Sequence, residues 1–397
     1  MKGEPYVQLG EMVEFVGGGT PSRDVPEYWG GSIPWASVKD LTSQDLAFTT
    51  ETITEEGLKN SASKLVRPGT VIIASRVGLG KVCINRLPVA INQDLKALVP
   101  KNGNIAPRYL MYFLLSQATV LEQTGVGATV KGLKISDLER IKIPFPPLPE
   151  QERIVQILDE AEELRRLQER ADRRTADLIP AIFHEMFGDP ATNPKGWGSD
   201  SVERLAIKKE GAIRTGPFGS DLLHSEFGDE GISVLGIDNV VSNEFCWTHP
   251  RCITPEKYNL LRRFRVYPGD VLVTIMGTVG HSCVAPEDLP ECISTKHLCV
   301  ITVDRKRVDP MYLWGAFLFD EGVKQQTRSV GGGAIMEGWN SKIIKGLKVR
   351  VPPLPLQREF AAQVAEVRAL EAQQAESHRR LDDLFASLLH RAFRGEL

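Results

Sequence analysis

The chain has 397 residues, of which 42% are hydrophobic and 25% are charged, and its formal net charge is −3. This length allows two domains of ordinary size, and the balance is typical of a globular protein. No apolar run approaches the roughly 18 residues of a membrane span, and the net charge argues against bulk binding of polyanions, although local patches can still be basic. The opening MKGEPYVQLGEMVEF lacks the features of a signal peptide, so the expected location is the cytoplasm.

Residues 1–145 predict a first domain of mixed α/β type, with a curved sheet and a few helices. Short β-branched runs such as GTVIIAS, bounded by Pro-Gly turns, indicate strands, and APRYLMYFLLSQ indicates a helix. Two glycine-rich phrases, FVGGGTP and SRVGLGKV, raise the hypothesis of a nucleotide-binding loop. The first is followed by proline instead of a helix, and the second lacks the full P-loop pattern, so we interpret both as turns.

Residues 146–187 predict a long helix that follows the phrase PPLPEQERI. Apolar residues recur at spacings of three and four over about ten turns, which is one face of a helix. Pro149 marks the start of this helix and Gly188-Asp189-Pro190 marks its end. Pro180 is expected to bend the helix or to start its last segment.

Residues 188–351 predict a second domain of the same kind, in which GDVLVTIMG indicates a strand and DPMYLWGAFLFDEG a helix. Five of the six cysteines fall here, and Cys246 and Cys252 flank His249 in the phrase CWTHPRC. A metal site would need a second ligand cluster, and the sequence shows none. We therefore favour reduced, partly buried thiols.

The second half of the chain repeats the first. The phrase PPLPLQREF begins 206 residues after PPLPEQERI (352 − 146), and residues 352–397 predict a second long helix with the same apolar positions. Pro68-Gly69 corresponds to Pro268-Gly269 at an offset of 200, and short loop insertions account for the drift.

The two helices are too long to lie on small domains. A helix of about 38 residues spans about 57 Å, so we predict that both helices project and pair antiparallel, as a coiled-coil-like spacer that holds the two domains apart. The buried stripe of this pair is expected to include the apolar residues Ile154, Leu158, Leu164, Leu178, Phe360, Val364, Leu370 and Leu384.

A catalytic set is not evident in the sequence. Motifs of amino-methyltransferases, zinc proteases and serine hydrolases do not occur. His184 and His390 occupy equivalent helix positions, where two solvated polar residues are a better interpretation than a proton relay. Trp35 and Trp339 are interpreted as core residues instead of base-stacking groups.

Several phrases carry a family resemblance that covers the whole chain. PFPPLPEQERIVQILDEAEEL, EMFGDPATNPKGW and LLHRAFRGEL resemble the conserved regions of the specificity subunit of type I restriction-modification systems. The phrase GGGTPSRDVPEYWGGSIPWASVKDL resembles the opening of its target recognition domains. The second domain departs from this pattern at IRTGPFGSDLLHSEFGDEGISVLGIDNV, which lacks the Thr-Pro and Ile-Pro-Trp elements.

The resemblance implies a DNA-binding protein without catalytic activity. Each target recognition domain would read one half of a split DNA sequence, and the paired helices would set the gap and bind two modification subunits. S-adenosylmethionine would bind to those subunits and no cofactor to this chain, and restriction subunits would join through the complex. Loop residues that could reach phosphates or base edges are Arg23, Lys39, Arg76, Lys81, Lys131, Arg214, Asn239, His281, Lys296 and Arg328.

Two other functions stay open at this point. The chain could be a DNA-processing enzyme with a divergent active site, or a scaffold that joins partners without reading DNA sequence. Methyl transfer by the isolated chain would separate an enzyme from a recognition subunit.

Overall fold

The structure is a computed structural model that describes residues 5–124, 132–188, 193–330 and 338–397. The chain forms two compact units. Unit 1 consists of Met1–Arg170 and Ala375–Leu397, and unit 2 of Ala171–Gln374. The boundary between the units crosses each long helix near its middle. The domain boundaries predicted from the repeat lie instead at the ends of the helices. Each unit therefore contains one globular half of the repeat together with portions of both long helices.

Unit 1 contains two sheets with the strand orders β2-β10-β7-β8-β4 and β5-β3-β9-β6, and β1 pairs with β11. Its central strands are β-branched and fully buried, as the run VIIA of β7 shows. The strands are β1 Tyr6–Gln8, β2 Val13–Gly17, β3 Trp29–Ala36, β4 Asp45–Leu46, β5 Glu51–Ile53, β6 Lys64–Val66, β7 Val71–Ala74, β8 Val82–Asn85, β9 Val89–Ile91, β10 Leu95–Pro100 and β11 Lys142–Pro144.

The helices of the first half lie between these strands in the chain, and two further helices follow the last strand. The predicted helix in APRYLMYFLLSQ is confirmed as α3, which begins with a proline in its first turn. The helices are α1 Leu9–Met12, α2 Glu55–Lys59, α3 Pro107–Ser116, α4 Ala118–Thr124, α5 Ile135–Glu139, α6 Leu148–Ala176 and α7 Leu178–Phe187.

Unit 2 repeats this plan with the orders β13-β19-β16-β17 and β15-β14-β18, and β12 pairs with β20. Its strands are β12 Ser199–Ser201, β13 Ile213–Thr215, β14 Ile232–Leu235, β15 Cys252–Ile253, β16 Val271–Thr274, β17 Ser282–Val284, β18 Cys292–Ser294, β19 Leu298–Ile301 and β20 Lys348–Arg350. Its helices, and the second long helix, are α8 Val202–Leu205, α9 Pro255–Leu261, α10 Pro310–Phe319, α11 Glu321–Val330, α12 Ser341–Gly346 and α13 Leu354–Ala392.

The long helices begin where the proline phrases predicted. α6 and α13 start at Leu148 and Leu354, each one residue before its proline. The first helix breaks at Asp177, and Pro180 lies in the first turn of α7, which confirms that this proline accompanies a new segment. α13 continues without a break through the corresponding positions.

In unit 1 the two long helices run antiparallel. The Arg165 guanidinium contacts the Asp382 carboxylate at 2.7 Å, and the Ser377 hydroxyl donates to Gln168 at 3.2 Å. As the residue number rises in one helix, it falls in the other, which confirms the predicted direction. In unit 2, the ring of Phe183 in α7 lies 5.5 Å from that of Phe360 in α13.

The ends of the long helices complete both cores. In unit 1, the ring of Tyr109 in α3 lies 5.2 Å from Phe393, just after α13. In unit 2, the corresponding Tyr312 of α10 lies 4.7 Å from Phe187, the last residue of α7. All four side chains are at most 7% exposed. Burying such a ring contributes about 1.5–3 kcal/mol, so each globular half depends on a helix end for its core.

The glycine phrase FVGGGTP is a packing feature. A Cβ at Gly18 would lie 2.0 Å from the carbonyl oxygen of Ile91, and one at Gly216 would lie 2.1 Å from that of Ser294. No side chain fits at such distances, so glycine lets the chain pass against the end of the neighbouring strand in both units. This arrangement agrees with a turn at FVGGGTP.

Candidate nucleic-acid interface

Several loops of unit 1 meet at one edge of its sheets. β2 and β7 end at this edge and β10 begins there, because Lys96 pairs with Gly17 and Leu95 with Ala74. β3 and β9 are parallel and end there as well, with Ala36 opposite Ile91. We call the loops 18–28, 37–44, 75–81 and 92–94 the loop edge of unit 1.

The loop edge carries exposed cations without local counterions. Lys39, Arg76 and Lys81 are exposed and form no ion pair within the part of the chain that the structure describes. The loops that carry Lys39 and Lys81 are adjacent, because a Cβ at Gly78 would lie 3.0 Å from Val38 and 3.4 Å from the Lys81 side chain. Such cations can bind phosphate. Lys131 was predicted with them but lies outside the described residues.

Lys96 is a cation at this edge that the sequence-based prediction did not include. Its Nζ donates to the carbonyl oxygens of Gln93 and Leu95 at 2.9 and 3.1 Å. Burial, and secondarily the positive charge of Arg76, lower the pKa of Lys96. Lys96 lies within a strand, opposite Gly17, and its place at the edge follows from the strand register. A prediction limited to loop cations therefore did not include it.

Arg23 is held in a fixed orientation at the same edge. Its guanidinium makes a bidentate pair with Glu51 at 2.5 and 2.9 Å and lies 3.6 Å from the ring centroid of Trp29. The hydrogen bonds from Arg23 lower the pKa of Glu51. The guanidinium is thus already neutralised, and its remaining contribution to a DNA surface is smaller than that of the unpaired cations.

The loop after β7 contains an unusual backbone conformation. Val77 has φ 33° and is 58% exposed, between Arg76 and Gly78. A β-branched residue rarely occupies the left-handed region, and the cost is about 1–3 kcal/mol. In unit 2 the same place is occupied by Gly277, with φ 75°. Strain of this kind is common at functional loops, so this loop is the most distinctive part of the edge.

Unit 2 has a corresponding edge. β13 and β16 end there and β19 begins there, and the parallel strands β14 and β18 end beside them. Lys296 is exposed and forms no ion pair among the described residues. Burial, followed by the charges of Lys296 and Arg251, lowers the pKa of His297. His281 is half-buried, and its Nδ1 has no hydrogen-bond partner within the described residues.

For Arg214 and Asn239 the structure gives a structural role in place of the predicted DNA contact. The Arg214 guanidinium binds the buried Asp270 carboxylate at 2.5 Å, and its Nε and Nη2 donate to the carbonyl oxygen of Arg265. Its side chain is 8% exposed. Breaking such a buried pair typically costs about 3–5 kcal/mol, so Arg214 serves the fold.

Asn239 is a turn-capping residue. Its Oδ1 accepts from the Gly236 amide at 2.8 Å, and its Nδ2 donates to the Cys246 carbonyl at 2.8 Å. In unit 1, Asp40 caps the corresponding turn by accepting from the Ser37 amide at 2.8 Å. The sequence did not distinguish a capping asparagine from a base-reading one, because both occur in polar loops.

Arg328 lies on α11 and pairs with Glu321 at 2.7 Å, with 70% of its side chain exposed. An exposed pair of this kind is weak, so the guanidinium stays available to a phosphate. The assignment of Arg23, Lys39, Arg76, Lys81, His281, Lys296 and Arg328 to DNA contact stays a prediction.

The predicted stripe of the long helices divides into two groups. Ile154 and Leu158 are fully buried in the core of unit 1, and Phe360 and Val364 are buried in that of unit 2. The other four members lie at the surface and are 39–49% exposed: Leu164, Leu178, Leu370 and Leu384. Helical spacing predicted the face of each helix but could not tell which part of it meets a core.

The described residues contain neither a candidate membrane span nor a candidate metal site. No helix there is long and apolar enough to cross a membrane. No cluster of three or more histidine, cysteine, aspartate or glutamate side chains there could hold a metal ion. Cys246 is exposed and the other five cysteines are buried and free.

Comparisons with known proteins agree in the kind of relative they find. The family described as "Type I restriction modification DNA specificity domain" matches residues 2–171. The type I restriction enzyme MjaIX specificity subunit of Methanocaldococcus jannaschii is 30% identical over 219 residues, which are 50% of this chain and 50% of that protein. The EcoR124I/EcoR124II specificity subunit of Escherichia coli is 36% identical over 163 residues, which are 39% of this chain and 40% of that protein.

The chain thus matches about half or less of the length of these curated relatives. A solved structure extends the likeness in fold to the entire chain. It describes complex assembly and conformational transition of the type I R-M system, and one of its chains superposes with a TM-score of 0.67 at 19% identity, covering 100% of this chain and 99% of that one.

Proposed function

We propose that the chain is the DNA-recognition subunit of a type I restriction-modification complex, because the specificity-domain family matches residues 2–171 and type I specificity subunits are among its relatives. Each unit would read one half of a split DNA sequence. The chain itself would carry no catalytic activity, and S-adenosylmethionine would bind to modification subunits of the complex. The cytoplasm is the compartment in which such a complex would meet chromosomal DNA.

One observation carries this proposal. The two units share most of their strand topology, since among the described residues unit 2 lacks only counterparts of β4 and β6, and each presents a loop edge at the same place in it. A repeated reading surface suits a DNA site made of two separate parts, because each surface can contact its own base edges. An enzyme with a divergent active site would need a convergent set of catalytic groups, and the described residues of the loop edges form no cluster that favours that alternative.

The long helices support a second part of the proposal, which is the docking of two modification subunits. In unit 1, Leu164 and Leu384 lie within a turn of the Arg165–Asp382 contact. In unit 2, the corresponding leucines are Leu370 and Leu178, each at an offset of 206. Exposed apolar residues that recur in this way form two equivalent surfaces. Two copies of one partner fit two equivalent surfaces, and restriction subunits would join through the assembled complex.

A domain exchange tests the proposal. β12 and β20 are adjacent antiparallel strands with Ser199 opposite Arg350, so the two ends of residues 199–350 lie side by side within unit 2. Replacing this segment with that of a relative should change one half of the methylated sequence and leave the other half unchanged. The measurement is methylation mapping of DNA treated with the chimera, modification subunit and S-adenosylmethionine.

The exchange has two outcomes that contradict the proposal. A change in both half-sites would show that the units do not read DNA independently. Methyl transfer by the purified chain without a modification subunit would show that the chain is an enzyme. Exchange of residues 6–144, whose ends also lie on paired strands, is the matched experiment for unit 1, because Tyr6 lies opposite Pro144.

A further inference from the structure

Unit 2 has a groove at the edge of its sheet opposite to the loop edge. Two adjoining cavities, of about 760 and 630 Å³, share the segment around Lys209–Ala212 as a common wall. Ala212 lies just before β13, and Tyr267 lies shortly before β16, whereas the loop edge lies at the other end of both strands. We call this surface the basic groove.

The charged residues that line the basic groove are mainly cations. The acidic residues in its lining are Glu203 and Glu210. Six of its cations are Arg204, Lys208, Lys209, Arg262, Arg263 and Lys345.

Three of these six cations have no local counterion among the described residues, and Arg204, which is 75% exposed, lies 3.7 Å from Asp200. Lys208, Lys209 and Arg262 are exposed and make no ion pair in the described parts of the chain. Arg263 contacts Asp221 at 3.4 Å, but the two side chains are 71% and 48% exposed, so this pair contributes little. Lys345 lies 3.7 Å from Glu203. Unpaired cations along a concave surface create a positive potential that favours an extended anion.

An aromatic ring on the wall orients one of the arginines. The guanidinium of Arg263 lies 4.7 Å from the ring centroid of Phe264. A stacked guanidinium keeps N–H donors available at its edge, in the geometry that binds phosphate oxygens. Arg214, whose guanidinium lies 5.3 Å from Tyr267, is engaged by Asp270 and does not contribute a free donor. This combination is typical of nucleic-acid surfaces more than of contacts with acidic proteins.

Unit 1 has no cation at the positions that correspond to four of these residues. The shared Pro-Gly turn aligns Arg262 and Arg263 with Ala62 and Ser63. Gly18 and Gly216 lie against equivalent strand ends and therefore correspond to one another. With this correspondence, Lys208 and Lys209 align with Gly10 and Glu11. Four cations of the groove therefore replace two small residues, a serine and an acid. The duplicated reading function does not require a surface that is present in only one unit.

We propose that the basic groove binds the phosphate backbone of duplex DNA outside the half-site that unit 2 reads. This inference rests on the proposed function in one respect, which is that the chain binds DNA. It is independent of sequence, because phosphate contacts position DNA without identifying bases. It also makes the complex asymmetric, since DNA on the side of unit 2 is held at one additional place.

Salt dependence of DNA binding tests the inference. The variant is Lys208→Gln/Lys209→Gln/Arg262→Gln, and the matched control is Lys59→Gln/Lys64→Gln/Arg67→Gln, three exposed cations of unit 1. Fluorescence anisotropy of the full chain is measured with a random-sequence duplex of about 40 base pairs over a range of salt concentrations. Each lost phosphate contact lowers the slope of log affinity against log salt by about 0.9, so the groove variant should lose about 2 to 3 and the control should not.

Equal slopes for the groove variant and the control would overturn the inference. An unchanged slope together with loss of a protein subunit from the purified complex would also overturn it, by assigning the groove to an acidic protein surface. Methylation mapping with the wild-type complex is a separate measurement. If it shows no sequence preference, the proposed function fails, whereas the basic groove is still judged by the slope on random DNA.

Discussion

Gln151 and Gln357, which follow the two proline phrases, make the same set of hydrogen bonds in the two units. The Oε1 of Gln151 accepts from the Ala106 amide at 2.9 Å, and that of Gln357 accepts from the Asp309 amide at 2.8 Å. The Nε2 atoms donate to the carbonyl oxygens of Pro146 and Pro352 at 2.9 and 2.7 Å.

These glutamines explain why the proline phrase occurs twice. Ala106 and Asp309 are the N-cap residues of α3 and α10, so each glutamine joins the start of a long helix to the start of a core helix. Both glutamines are fully buried. The repeated phrase therefore anchors the start of each long helix to the core of its unit.

Replacing Gln151 by leucine should destabilise unit 1 by about 2–4 kcal/mol, because it leaves the Ala106 amide and the Asn104 and Pro146 carbonyls without their partner. Urea unfolding monitored by circular dichroism measures the change. The control is Gln156→Leu on the exposed side of the same helix, where we expect a change within about 0.5 kcal/mol. Equal effects of the two substitutions would contradict a role for the buried glutamine.

Val77→Gly should stabilise unit 1 by about 1 kcal/mol, since it removes a strain of about 1–3 kcal/mol and adds a backbone entropy cost of about 0.5–1 kcal/mol. The reciprocal change Gly277→Val should destabilise unit 2 for the same reason, because Gly277 has φ 75°. Both are measured as shifts of the unfolding midpoint in urea. A loss of stability in Val77→Gly would show that the side chain contributes more to the fold than its exposure indicates.

The exposed leucines of the long helices should serve assembly and not folding. Sequence reasoning placed them in a buried stripe, where a carboxylate would cost several kcal/mol, but their exposure of 39–49% makes them tolerant of charge. We expect Leu164→Asp/Leu384→Asp to lower the number of bound modification subunits by one while changing the free energy of unfolding by less than about 1 kcal/mol.

Native mass spectrometry of the co-purified complex gives the subunit count. Leu178→Asp/Leu370→Asp should remove the other copy, and Leu65→Asp, at a residue of β6 that is 52% exposed, should remove none. Full occupancy after both double substitutions would place the docking surface elsewhere.

Lengthening the long helices should lengthen the unread gap of the DNA site. Four residues add about 6 Å and turn the following segment about 40° beyond a full turn, so an insertion between Arg170 and Ala171 keeps nearly the same helix face. The antiparallel contacts of Arg165 and Gln168 require a matching insertion between Gln374 and Ala375. At about 3.4 Å per base pair, we expect the gap to grow by one or two base pairs.

Methylation mapping measures the gap. Insertion of two residues in each helix turns the face by about 200° and should abolish assembly. An active complex with four additional residues and an unchanged gap would show that the helices do not set the spacing.

The sequence predicted the helices and strands of the fold better than it predicted which of their side chains are buried. Periodicity and proline positions identified both long helices, and the β-branched runs identified β7 and β16, because local backbone preferences determine these features. Burial depends on contacts between distant segments. The sequence therefore placed Leu164 and Leu370 in the same stripe as Ile154 and Phe360, although the former are exposed and the latter buried.

The candidate site shows the same limit. Arg76 and Lys81 were predicted from a glycine-rich loop, and the strand ends place them at the loop edge. Arg214 and Lys96 lie in or beside regular strands, where the register decides whether a cation faces a buried acid or an open edge. No rule of composition gives that register.

The division of the long helices between the units has a consequence for the order of events during synthesis. Unit 2 is one continuous stretch, Ala171–Gln374, and all of its core is present once that stretch has left the ribosome. Unit 1 begins earlier in the chain, but its core includes Ala392 and Phe393. The core of the half that is translated first therefore stays incomplete, with apolar side chains exposed, while more than 200 further residues are added. The half that is made second is the first that can reach its native state.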